Sequence, residues 1–141
     1  MNTKDKKNVY QKIWGIQKEI KSLKKDELNK FQNYYYFEEK QVLEVLKPLL
    51  EKYQLSLLLS DDFEKEFSHV QQQSNHFIRY GKKLEIVDWE NGDKLEFKFW
   101  ACGQNTDLAK AKGSAETYAN KYMLSKFFLI PVKDSLDSDN R

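Results

Sequence analysis

Apolar residues near the start of the chain fall at Val9, Ile13, Ile16, Ile20 and Leu23, in steps of four, three, four and three. That spacing puts them on one face of a 3.6-residue turn and predicts a first helix over roughly residues 7–30. Lys12, Lys18, Lys21, Lys24 and Lys25 fall largely off the stripe. "YYYF" at 34–37 reads as a short extended or turn segment. A second helix is expected from about Glu38, with Val42, Leu43, Leu46, Leu49, Leu50 and Tyr53 as its apolar face. Glu38 and Glu39 suit the positive end of a helix dipole. Pro48 lies inside and predicts a kink.

The period then changes from 3.6 to 2. "LSLLLSDDF" at 55–63 predicts a strand, and the polar stretch 64–76 reads as a loop or weak strand. "RYGKKLEIVDW" and "KLEFKFWACG" flank "ENGD". An Asn-Gly step between two β-rich runs predicts a hairpin. Leu84 and Ile86 alternate with Glu85 and Val87, and Leu95, Phe97 and Phe99 with Glu96, Lys98 and Trp100, so each strand buries one face. A final helix is expected over roughly 107–128, with Asp107 capping its start and Pro131 beyond its end. The order predicts an α+β fold: an antiparallel sheet of about three strands in a β-β-β-α core, with flanking helices.

At 141 residues the chain suits one domain, read as 1–132, followed by a polar, acidic, disordered tail at 133–141. Cys102 is the single cysteine, which excludes an intrachain disulfide and suits a reducing cytoplasm. The N-terminus lacks the apolar core of a secretory signal, and no apolar run is long enough to span a bilayer. The net charge of +2 hides a polarity: residues 1–30 carry a net +5, residues 31–104 a net −4, residues 105–133 a net +3, and the last eight a net −2. Basic ends around an acidic middle fit an anionic partner, and fit a solvated lysine-rich surface equally well.

The run "KAKGSAETYANKYML", Lys110 to Leu124, sharpens the choice. At about 100° per residue, with Lys110 at zero, Thr117 falls at about −20°, Lys121 at about +20° and Ser114 at about +40°, with Gly113 at the edge of this polar stripe. Ala111, Ala115, Tyr118, Ala119 and Tyr122 cover the arc expected to pack on the sheet or on another helix. A glycine inside a helix costs about 1 kcal/mol relative to alanine. Close approach of a protein backbone or of a nucleic-acid strand would account for it.

The stretch "AKAKGSAETYANKYMLSKFFLI" resembles the signature helix of the Erf (essential recombination function) family of phage single-strand annealing proteins. "YYYFEEKQVLEVLKPLLEKYQLSLLLS" is similar to that family's other marked segment, and the resemblance covers roughly residues 8–132. Two departures stand out: Asn120 with Lys121 replaces a pair of basic residues, and "FFLIP" replaces a step with a small residue. The resemblance implies a non-enzymatic, ATP-independent protein without cofactors that coats single-stranded DNA and anneals complementary strands in the bacterial host cytoplasm. It also implies homo-oligomeric rings or filaments, with a single-strand-binding protein or another phage or host protein as a further partner.

On that reading Lys110, Lys112 and Lys121 are candidate phosphate contacts, Ser114 and Thr117 hydrogen-bond donors, and Gly113 the point of close approach. Arg79, Lys82, Lys83 and Lys98 on the hairpin form a second tier, and read equally as charges protecting an edge strand. Trp89 and Trp100 read as base-stacking groups, or as core or interface residues. Two alternatives stay open. Asp61, Asp62, Glu64 and Glu66 form an acidic cluster of the kind a metal-dependent nuclease needs. A protein-interaction or strand-binding module without annealing activity would also use basic faces.

Overall fold

A computed structural model describes residues 6–25, 27–29 and 34–134. The chain divides into two compact units, Met1–Tyr53 with Leu124–Arg141, and Gln54–Met123.

In the first unit, helix α1 (Val9–Glu19) opens on a reciprocal cap. The Asn8 side chain accepts from the Gln11 N–H at 2.8 Å, and the Gln11 side chain accepts from the Asn8 N–H at 2.9 Å. Two of the orphan donors at the helix start are thereby satisfied. The helix is much shorter than its apolar stripe predicts. Ile20 turns extended, at φ −64° and ψ 137°, while its N–H still donates to the Ile16 carbonyl at 2.9 Å. Leu23 then opens strand β1 (Leu23–Lys25), and its N–H donates to the Pro131 carbonyl at 2.7 Å. Ile20 and Leu23 are buried as expected, but from extended backbone. A period of three and four cannot distinguish that from one more helical turn.

Strands β2 (Glu27–Asn29) and β3 (Tyr34–Tyr36) pair antiparallel, and helix α2 (Glu39–Tyr53) follows with Pro48 inside it. Ile16, Val42 and Leu46 are fully buried, worth about 1.5–3 kcal/mol each. Lys52 meets Glu19 at 2.6 Å, and the Tyr53 hydroxyl donates to the same carboxylate. Strand β8 (Val132–Asp134) pairs parallel with β1, Leu23 opposite Val132. The predicted acidic tail therefore begins in a strand, and 135–141 lie outside the described residues.

The second unit is a four-stranded antiparallel sheet and most of helix α3. Strand β4 (Leu55–Asp62), β5 (Ser68–Gln72), β6 (Asn75–Asp88) and β7 (Lys94–Asn105) follow in sequence. β7 lines one edge of β6, from His76↔Asn105 to Val87↔Lys94. β4 and β5 share the other edge end to end, closing at Asp62↔Gly81 and opening again at Ser68↔Arg79. Residues 63–67 leave the ladder opposite Tyr80, and the Phe67 ring returns to stack on it at 5.6 Å. β5 arises from the polar stretch predicted as loop or weak strand; its register comes from β6, because Gln71 and Gln72 carry no apolar alternation. The β6–β7 turn uses Gly92 at φ +78°, a conformation glycine adopts without a Cβ clash.

Helix α3 (Leu108–Phe127) starts on Asp107, whose side chain accepts from the Lys110 N–H at 3.2 Å. Its last turn, from Leu124, belongs to the first unit. Among the described residues, no helix is long and apolar enough to cross a membrane.

Candidate nucleic-acid interface

Alternation along β6 decides which side chains meet α3. Ile78 and Tyr80 share one sheet face with Ala101 of β7, and Ala111 and Ala115 of α3 pack on them. The helix comes unusually close at Gly103. A Cβ there would lie 2.7 Å from the Ala111 carbonyl oxygen and 2.9 Å from the Ala115 nitrogen. Small residues on the helix and a glycine on the strand thus let two backbones approach.

On the same face, one step along β6, Lys82 is almost completely buried. Its ammonium reaches Asp61 of β4 at 2.8 Å and Glu116 of α3 at 2.6 Å. Lys112 meets the other Asp61 oxygen at 3.1 Å and Glu116 at 3.7 Å. The Tyr80 hydroxyl donates to Glu116 at 2.7 Å. Burial works against each charge here, yet the hydrogen bonds prevail. Burial pushes the Asp61 carboxyl up, but Lys82 and Lys112 hold it below its ordinary value. Burial pushes the Glu116 carboxyl up, but Lys82 and Tyr80 hold it low. Burial pushes Lys82 down, but Asp61 and Glu116 carry it above its ordinary value. Burial and then the bond to Glu116 push the Tyr80 hydroxyl up. The network ties two strands to the helix beside an open pocket of about 510 Å³, lined in part by Ser60, Ala109, Lys112 and Gly113.

Gly113 stands exposed on the rim of this pocket, and no described atom outside its own helix turn would lie within 4 Å of an added Cβ. Intrachain close approach, one of the two expected explanations for this glycine, therefore belongs to Gly103 instead. Lys110 and Thr117 are exposed, and Ser114 is half-buried. Lys121 departs from the expected stripe. It is only 5% exposed, and its ammonium lies 4.7 Å from the Tyr118 ring centre and 4.9 Å from that of Tyr122. Those two rings, expected to pack inward, are 46% and 44% exposed and stack on each other at 5.9 Å.

The hairpin candidates divide by parity. Lys82 points toward α3, whereas Arg79, Lys83 and Lys98 belong to the opposite sheet face. There Arg79 lies over the half-exposed Trp100 ring at 4.9 Å, Lys83 meets Glu96 at 3.5 Å, and Lys98 meets Glu64 at 3.4 Å and Asp62 at 3.6 Å. Eight of the ten candidates thus occupy two surfaces, and Lys82 and Lys121 are buried. Trp89 is half-exposed and donates through its indole N–H to the Ser56 hydroxyl at 2.8 Å. Of the acidic cluster, Asp61, Asp62 and Glu64 are ion-paired to lysines. Among the described residues, no group of three or more His, Cys, Asp or Glu is arranged to hold a metal ion.

Sequence reasoning missed the network of Asp61, Tyr80, Lys82, Lys112 and Glu116. The i,i+4 spacing of Lys112 and Glu116 was a visible signal for one of its pairs. The Asp61–Lys82 pairing needs the strand register, which no local pattern carries.

No curated protein matches the chain. The sequence pattern of the ERF superfamily matches residues 9–141, nearly the whole chain. That membership fits a role in phage recombination, and with it the chain is placed: it belongs to the ERF superfamily.

Proposed function

We propose that this protein binds single-stranded DNA without sequence preference and anneals complementary strands, without nucleotide hydrolysis, during phage recombination in the host cytoplasm. The observation that carries this reading is membership of the ERF superfamily across residues 9–141. The geometry supports it at α3. Lys110 and Thr117 are exposed, Ser114 and Lys112 half-exposed, and Gly113 opens onto a pocket with no side chain of its own. An exposed helix interior would gain stability from alanine at Gly113, so a strand passing close to the helix gives the glycine a use. Phosphate neutralisation by the lysines would release counterions and drive sequence-independent binding.

Arg79, Lys83 and Lys98 lie on the other sheet face beside Trp100, where a strand would have to displace Glu96, Glu64 and Asp62 from the two lysines. Lys82 and Lys121 are buried and act through the residues they hold, Asp61 and Glu116 for the one and the Tyr118 and Tyr122 rings for the other. Assembly of many copies along one strand, as a ring or filament, would raise the local concentration of contacts. A single-strand-binding protein or another phage or host protein is a further proposed partner.

The test is anisotropy of a dye-labelled single strand titrated with protein in EDTA, across a range of salt. Tight binding that weakens with salt and leaves the strand uncut supports the reading. Cleavage that appears only with added Mg²⁺ would favour a nuclease, and no binding at low salt would favour a protein-interaction module.

A further inference from the structure

Lys110, Ser114, Tyr118 and Tyr122 are four residues apart in turn, so they form a single ridge along α3. From Lys110 to Tyr122 the ridge rises roughly 18 Å at 1.5 Å per residue. It changes character along its length. The first half offers a cation and a hydroxyl, groups suited to a phosphate backbone. The second half offers two aromatic rings, each nearly half exposed, close to parallel at 19°, with centres 5.9 Å apart.

Exposed tyrosines usually bury their rings and leave the hydroxyl wet. Here the neighbouring small residues Ala111 and Ala115 take the sheet contact, and the rings keep exposed area. Lys121, one residue before Tyr122, is buried and holds its ammonium about equally far from both ring centres. A cation shared between two π faces favours one arrangement of the pair over separate rotamers. The result is a pre-ordered aromatic surface at the end of a polar ridge.

We infer that Tyr118 and Tyr122 form a base-stacking platform for single-stranded DNA, with Lys121 as its positioning residue. The inference rests on the proposed strand-binding function and names a chemistry that function does not require. Phosphate contacts alone ignore the bases, whereas every base presents a π face to a ring. The platform therefore makes binding depend on bases while remaining indifferent to which base is present.

The experiment compares a dye-labelled oligothymidine with an abasic deoxyribose-phosphate chain of the same length and charge. The unmodified protein should bind the oligothymidine more tightly. Tyr118→Leu with Tyr122→Leu should lose roughly ten-fold or more of that affinity. Its binding to the abasic chain and its salt slope should stay as in the unmodified protein. Tyr118→Phe with Tyr122→Phe should restore the preference, because the rings remain. Equal binding of both chains by the unmodified protein overturns the platform yet leaves strand binding intact, and needs no variant. A leucine pair that retains the full preference also overturns it. Failure of the unmodified protein to bind either chain overturns the strand-binding function and the platform with it.

Discussion

Gly103 and Gly113 should respond in opposite directions to the same change. At Gly103→Ala the new methyl would stand 2.7 Å from the Ala111 carbonyl oxygen, 2.9 Å from the Ala115 Cβ and 2.9 Å from the Ala115 nitrogen. Two of these are backbone atoms of a helix, so no rotamer change relieves them, and the helix must lift from the sheet. Overpacking of this kind costs about 1–3 kcal/mol. At Gly113→Ala the methyl meets nothing, and the helix gains about 1 kcal/mol of propensity. For a chain of this size a kcal/mol moves Tm by roughly 3–5 °C. Circular-dichroism melts should therefore show Gly103→Ala several degrees below the unmodified protein and Gly113→Ala a few degrees above it. Gly103→Ala melting at or above the unmodified Tm would refute the close helix–sheet contact. Gly113→Ala melting well below it would refute the open environment assigned to that glycine.

Gly113→Leu should leave Tm within a few degrees of the unmodified value while weakening single-strand binding in anisotropy; unchanged binding would remove this glycine from the DNA path. Lys110→Ala should reduce the slope of log affinity against log salt by about 0.7, one phosphate contact on a single strand. The lysine network gives a pH signature. Asp61 and Glu116 have depressed values, so their contribution is complete above about pH 5, beyond the ordinary carboxylate range, and is lost as pH falls through the depressed values. Lys82 has a raised value, so its contribution is lost at the alkaline end, above about pH 10.4. Tm against pH should fall at both extremes, and Lys82→Met should flatten the acid limb; an acid limb of unchanged steepness would refute the coupling. Asn8→Ala removes the cap of α1 and should lower stability by about 1 kcal/mol in a urea titration.

The hairpin was legible over residues 79–103, where a turn signal and a period of two agree, while the outer ends of β6 and β7 were not. The start of α3 was legible because Asp107 is a strong local cap. The end of α1 was not, because Ile20 and Leu23 satisfy a helical stripe and a buried extended segment alike. β1 and β8 pair in parallel across more than a hundred residues, a partnership no local pattern announces. At the candidate site, charge and spacing identified Lys110, Gly113 and Thr117 as surface groups. They misplaced Lys121, because a helix angle says which side a residue occupies and not what covers it. Lys82 was misread as a surface cation for the same reason: its partners come from β4 and α3, brought together only by register and packing. The resemblance of the final helix to a family signature motif pointed to the family, while the physical cause of its alanine pattern lay in Gly103, outside that helix.

Annealing itself can be followed by mixing two complementary oligonucleotides, labelled as a fluorescence donor and acceptor, with the protein in EDTA and without ATP. Energy transfer should appear much faster with protein than without it and should need neither metal nor nucleotide. Strands that bind the protein yet pair no faster than in buffer would contradict the proposed annealing.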